Sequence, residues 1–223
     1  MRTTVSVPVI AIDGPSGSGK SSTSRGVAQA LGFAYLDTGA MYRAMSWALL
    51  QRGVDVHDPA AVAEAAASVV IASGTDPVAP TITADGQDVS EAIRTDEVTD
   101  VVSPVATVPA VRSLLLELQR AAIAAAESGI VVEGRDIGTV VAPDAHTKIY
   151  LIADPAARAA RRAAEAGNPD AAATLAALER RDAIDSTRTV SPLAKAEDAV
   201  VVDGTHLTLP QVIDRIVEIV GSH

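Results

Sequence analysis

Eight residues near the start of the chain, Gly14-Pro15-Ser16-Gly17-Ser18-Gly19-Lys20-Ser21, have the types and spacing G-x-x-x-x-G-K-[ST]. They stand between an apolar run and a helix-favouring segment, the setting a phosphate-binding loop requires. The glycines let backbone N–H groups turn inward around a β-phosphate, and the start of the following helix adds a partial positive charge. Lys20 reaches the β- and γ-phosphates, and Ser21 offers a hydroxyl to Mg²⁺. A Gly/Ser-rich surface turn with a stray lysine is the bland explanation, but the chain has only three lysines, at 20, 148 and 195. The motif predicts nucleoside triphosphate binding, and alone it fits a GTPase, an ATP-driven motor or a small-molecule kinase equally well.

The arginines are the second chemical signal. Six of the 15 lie between positions 158 and 188 (Arg158, Arg161, Arg162, Arg180, Arg181 and Arg188), while Arg43, Arg112 and Arg135 each adjoin a strand end or a break. In a chain of formal charge −10, this placement suggests guanidinium groups converging on phosphates, which their planar fork binds in bidentate fashion. Pairing on a solvated helix explains Arg180, beside Glu179 and Asp182, and competes with phosphate binding for Arg158, Arg161 and Arg162. Gly134-Arg135-Asp136 follows an apolar strand directly, where open α/β sheets bind ligands. Taken alone, Ser103 before Pro104 reads as a loop or cap serine, and Asp136 and Asp185 as partners of nearby arginines.

The elements that must position these residues alternate between short apolar strands and helices. Val7 to Ile12, Phe33 to Leu36, Ile130 to Val132, Lys148 to Ile152 and Ala199 to Val202 read as buried strands. Helices are expected over 20–31, 40–52, 61–72, 95–102, 109–127, 154–166, 170–183 and 209–220, with Gly32, Gly53 and Gly129 as stops and Asp58-Pro59 and Asp154-Pro155 as starts. Thr81-Ile82-Thr83, Asp85-Gly86 and Val89 form an inserted antiparallel hairpin. The expected fold is α/β: a parallel core sheet of the phosphate-loop NTPase type with helices on both faces, plus that small hairpin. At 223 residues the chain has the length of one domain.

Composition narrows the chemistry further. There is no cysteine, which removes disulfides and thiolate sites, and four scattered His make no metal cluster. Five aromatic residues, Phe33, Tyr35, Tyr42, Trp47 and Tyr150, cannot build a stacking platform for single strands, and the acidic balance opposes polyanion binding. The apolar start is short and broken by Pro8, without the pattern of a signal peptide or a membrane span, so a soluble cytoplasmic protein without membrane or nucleic-acid partners is expected.

Seven blocks in order, IDGPSGSGKS (12–21), LDTGAMYR (36–43), DVSEAIRTDEV (88–98), VRSLLLELQR (111–120), EGRDIGTVVAPDA (133–145), RRDAIDSTRTVSPL (180–193) and VVVDGTHLTLPQVI (201–213), resemble bacterial cytidylate kinases over nearly the whole chain. The resemblance implies one domain, 1–223, with a substrate-binding arm at roughly 38–112 and a lid at roughly 155–170. It implies ATP on the loop from Gly14 to Ser21 and on Ser22, and cytosine against Ser103, Arg112 and Asp136. The CMP phosphate would lie on Arg43, Arg135 and Arg188 and the ribose near Arg181 and Asp185, with Thr38, Gly39 and Tyr42 completing the acceptor site. Mg²⁺ would sit directly on Ser21 and, through water, near Glu133 and Asp37. Thr38 stands where the family commonly has Ser, and Glu133 where it has Asp. Cytosine has an amino donor beside ring acceptors, which suits one carboxylate and one guanidinium, whereas uracil would set a carbonyl against the carboxylate.

The activity so implied is transfer of the ATP γ-phosphoryl group to CMP or dCMP. The acceptor oxygen is already anionic, so alignment and charge neutralisation by Lys20, Arg158, Arg162 and Arg188 replace a general base. Kinases of UMP, AMP or shikimate are the nearest rivals. A GTPase switch would need an Asn-Lys-x-Asp motif, and the chain has no Asn-Lys pair. A monomer is expected, since lid and arm must both move.

Overall fold

A computed structural model of the protein describes residues 7–166, 171–187 and 191–222. Its core is a five-stranded parallel sheet built from β1 (Val9–Asp13), β2 (Ala34–Asp37), β6 (Ile130–Gly134), β7 (Thr147–Ile152) and β8 (Val200–Asp203), in the order β2-β6-β1-β7-β8. The chain register aligns Asp13 with Gly134 and Asp37 with Glu133, so three strands deliver chemistry-bearing residues to the same edge of the sheet. Along β1, alternate side chains face opposite layers. Ile10 and Ile12 pack against α1 (Lys20–Leu31) and α8 (Leu209–Gly221), while Ala11 faces α2 (Thr38–Gln51) and α5 (Pro109–Ala124). Both faces are therefore covered, which is why these strands read as continuous apolar runs.

Two glycines make close approaches possible. A Cβ on Gly26 would lie 2.2 Å from Ile213 Cδ1, so its absence lets α1 and α8 touch. Gly14, at φ +153°, passes so near β7 that a Cβ would meet Leu151 O at 2.1 Å.

The insertion exceeds the expected hairpin. β4 (Ile82–Ala84) and β5 (Gln87–Asp88) form it, with Asp85 and Gly86 both at positive φ as a two-residue turn demands, and β3 (Ile71–Ser73) adds a third antiparallel strand. The helix expected over 61–72 is shorter, as α3 (Pro59–Ala66), because residues 71–73 pair with β4 instead of winding on. Asp85 secures the change by accepting the Val70 N–H at 2.9 Å. Segment 74–78 then straps the insertion to the core: Thr75 O accepts from Tyr35 N, and Arg25 donates to Pro77 O and Val78 O.

Two further helices outrun their expected ends. α4 (Asp96–Ala106) continues through Pro104, since Val98, Val102 and Val105 bury one continuous face that outweighs the missing N–H bond. α7 (Ala171–Thr187) runs on past 183, which places Asp185 within a helix. It follows α6 (Pro155–Ala166), whose first turn is capped by Asp154 accepting from Ala157 N. Among the described residues, no single helix is long and apolar enough to cross a membrane.

Candidate active site

The phosphate loop spans residues 14–19 between the end of β1 and the start of α1, with Gly19 at φ 90° as the cap. Lys20 is buried and donates from Nζ to Pro15 O at 2.7 Å. Burial, then the Arg135 cation, pushes its pKa down to about 7, against the pull of Glu133 and Asp13. Ser16, at the loop's tip, engages every polar group it has. Its N–H donates to Asp182 Oδ1 at 2.9 Å, its carbonyl accepts from Arg158 at 2.9 Å, and its hydroxyl oxygen accepts from Arg135 Nη2 at 2.6 Å. Arg158 also pairs with Asp182, and Arg161 donates to Ser18 O and Gly204 O. Arg135 donates besides to Gly14 O and to Asp185, each at 3.0 Å.

A cavity of about 580 Å³ opens over this loop. Its lining joins Gly17, Gly19, Lys20, Ser21 and Ser22 of the loop and its helix with Thr38, Gly39, Tyr42, Arg43, Ser103, Arg135, Asp136, Arg181 and Asp185. Gly14, Pro15 and Ser18, also expected at the ligand, do not line it. Arg112 and Arg158, expected at the ligand, do not line it either. Arg112 stands behind Asp136, 2.5 Å from its carboxylate, with its guanidinium 5.5 Å from the centre of the Tyr42 ring. Arg158 is turned onto Ser16 and Asp182, which both accept from its Nη1, while its buried Nε has no hydrogen-bond partner. The side chain of Arg162 and the whole of Arg188 lie outside the described residues.

Beside the loop is an acidic corner. Glu133 is buried at the end of β6; Oε1 accepts from the Tyr35 hydroxyl at 2.7 Å, while Oε2 has no hydrogen-bond partner. Burial and the Asp37 charge push Glu133 up to about 7, opposed by Lys20 and the Tyr35 hydroxyl. Asp37 caps α2 through Ala40 N, and Thr38 donates its hydroxyl to Glu133 O at 2.7 Å. A buried carboxylate oxygen without a donor, next to Asp37 and Ser21 on one cavity wall, is a donor set that suits a hard, hydrated divalent cation.

A model of the cytidylate kinase family matches residues 10–222. The chain belongs to the cytidylate kinase family. It is 61% identical to a cytidylate kinase of Streptomyces griseus, over 99% of this chain and 97% of the relative. It is 54% identical to one of Rhodococcus jostii, over 96% and 95%. An uncharacterized protein of Eubacterium ventriosum shares the fold at TM-score 0.54 and 11% identity, covering 97% of this chain and 99% of that one.

For a cytidylate kinase, two residues at the site went unmarked by sequence reasoning. Asp13 stands one position outside the loop motif, and its buried carboxylate accepts from Ile137 N and Gly138 N, both at 2.8 Å. Asp182 carries the signal of a charge beside Arg180, yet the α7 helix turns it toward Ser16.

Proposed function

We infer that the protein transfers the γ-phosphoryl group of ATP to CMP or dCMP, giving CDP or dCDP and ADP. The observation that carries this reading is one cavity lined both by the phosphate loop and by the buried residue Asp136. Asp136 accepts a hydrogen bond from the cytosine amino group, and Arg112 holds that carboxylate from behind. Ser103 completes the base site. Arg43, Arg135 and Arg188 take the acceptor phosphate, and Arg181 and Asp185 face the ribose.

Lys20 and the lid arginines Arg158 and Arg162 neutralise charge on the phosphoryl group in flight, which for Arg158 requires leaving Ser16 and Asp182 as the lid closes. Ser21 directly, and Glu133 and Asp37 through water, would hold Mg²⁺, which would supply charge neutralisation at the phosphates. The arm at roughly 38–112 and the lid at roughly 155–170 close to exclude water, since an open site would hydrolyse ATP. A cytoplasmic monomer whose partners are nucleotides and not nucleic acids agrees with the net charge of −10.

The test is ADP release with Mg-ATP across CMP, dCMP, UMP, AMP, GMP and shikimate. Turnover should be confined mainly to the two cytosine nucleotides. Faster turnover with any other acceptor would overturn the reading.

A further inference from the structure

The five residues after Asp136 form neither strand nor α-helix. Ile137–Val141 make a single π-helical turn, in which Val141 N–H reaches Asp136 O at 3.2 Å and Ala142 N–H reaches Ile137 O at 2.8 Å. Such wide turns are rare and persist where their surroundings hold them. Side chains from two other elements hold this one. At its start, Asp13 at the end of β1 accepts from two consecutive amides, Ile137 N on Oδ1 and Gly138 N on Oδ2. At its end, Arg120 of α5 donates to Val140 O at 2.8 Å and Val141 O at 3.2 Å.

Asp13 is 4% exposed and does not line the cavity. A buried carboxylate is costly unless its oxygens are used, and here both are spent on the backbone adjoining Asp136. Burial still raises its pKa to about 6, with Asp136 adding to the rise and Lys20 opposing it. α5 is fastened to the same segment twice, through Arg112 to the Asp136 carboxylate and through Arg120 to the far end of the turn.

We propose that Asp13 is a positioning residue for base selection: by clamping the amides of Ile137 and Gly138, with Arg120 bracing the other end of the turn, it sets where the Asp136 carboxylate meets the base. This rests on Asp136 reading the cytosine amino group. Asp13 touches no substrate. It binds the acceptor end of the site to the strand that carries the donor loop, and its effect falls on the choice between bases.

The experiment measures kcat/KM for CMP and UMP, and KM for ATP, at pH 8 in the wild type, Asp13→Asn, Arg120→Met, Asp136→Asn and Asp13→Asn/Asp136→Asn. Asn at 13 keeps one acceptor and sets an amide donor against the other N–H. The CMP:UMP ratio should fall about tenfold in Asp13→Asn, with KM for ATP within about twofold of wild type. Arg120→Met, a change at an exposed residue, should lower the ratio about threefold. The double variant should show no lower ratio than Asp136→Asn alone. If Asp13→Asn does not fold, the Arg120→Met ratio decides. An unchanged ratio in the variants that fold, both substrates falling together, or a rise confined to KM for ATP overturns the proposal. Should Asp136→Asn itself leave the ratio unchanged, the base reading fails first and the proposal with it; a ratio lowered by Asp136→Asn alone sinks only the role of Asp13.

Discussion

Asp136 and Asp13 are both buried carboxylates within one short stretch of structure, yet they face opposite demands. Asp136 lines the cavity and pairs with Arg112, and in the proposed function it is the carboxylate that reads the base. Replacing it with Asn should cost about 1–3 kcal/mol in kcat/KM for CMP while partly rescuing UMP, whose ring carbonyl gains an amide donor. The CMP:UMP ratio of kcat/KM is the discriminating number. Asp13 is spent on the fold, and its pH dependence has a definite sign. Its folded pKa is raised from 3.8 to about 6 by burial, so between these values the folded state holds more protons than the unfolded one and stability falls as pH rises. Relative to Asp13→Asn, the wild type should lose up to about 3 kcal/mol of unfolding free energy between pH 4 and pH 7, the equivalent of that rise. Urea melts of both proteins across this range check it. A difference that stays flat, or grows with pH, would contradict the assignment.

At the scale of elements, α6 and α7 grip the phosphate loop through Ser16. Arg158 comes from α6 and Asp182 from α7; they pair with each other, and each also bonds the backbone of Ser16. Removing one member of such a buried pair strands the other, at about 3 kcal/mol, the low end of the usual range because Asp182 retains 17% exposure. Asp182→Ala should therefore lower the melting temperature by roughly 6–12 °C for a chain of this size. It should also raise KM for ATP more than KM for CMP, because the freed N–H belongs to the donor loop. Equal changes in the two KM values would make the contact one of stability alone. Lys20→Met acts on the same loop from inside. Loss of that charge should cut kcat by roughly 10²–10³, the cost of one preorganised electrostatic contact to the transition state. The chain should still fold, at a lowered melting temperature, since Pro15 O loses its donor and Glu133 and Asp13 lose a neighbouring cation.

Across the whole molecule, the insertion is strapped to the core by segment 74–78, through Arg25, Gln29 and the Tyr35 amide. Arg25→Ala removes two charge-assisted bonds to backbone carbonyls. Amide exchange protection in residues 71–84 should then drop by about tenfold or more, with β1 and β6 unaffected. Protection unchanged in that stretch would mean that the strap contributes little to holding the insertion.

The phosphate loop, the core strands, the hairpin turn at Asp85-Gly86 and the helix ends at Gly32 and Gly53 are legible in the residue order, because local backbone chemistry and apolar runs dictate each of them. The resemblance in seven ordered blocks supplied the family. Tertiary structure alone decided that 71–73 is strand, since an apolar run beyond a helix takes whichever partner lies nearby, and β4 was there to pair with it. Likewise, Arg158 and Arg112 are arginines in the expected segments. Whether they face ligand or protein depends on Ser16, Asp182 and Asp136, which the chain brings to them from more than 20 residues away. The Asp13 clamp spans 124 positions, and no local pattern marks a carboxylate whose hydrogen-bond partners among the described residues are two amides just beyond the neighbouring strand. Hydrogen-bond satisfaction in a buried site is settled by three-dimensional proximity, and sequence spacing carries no record of it.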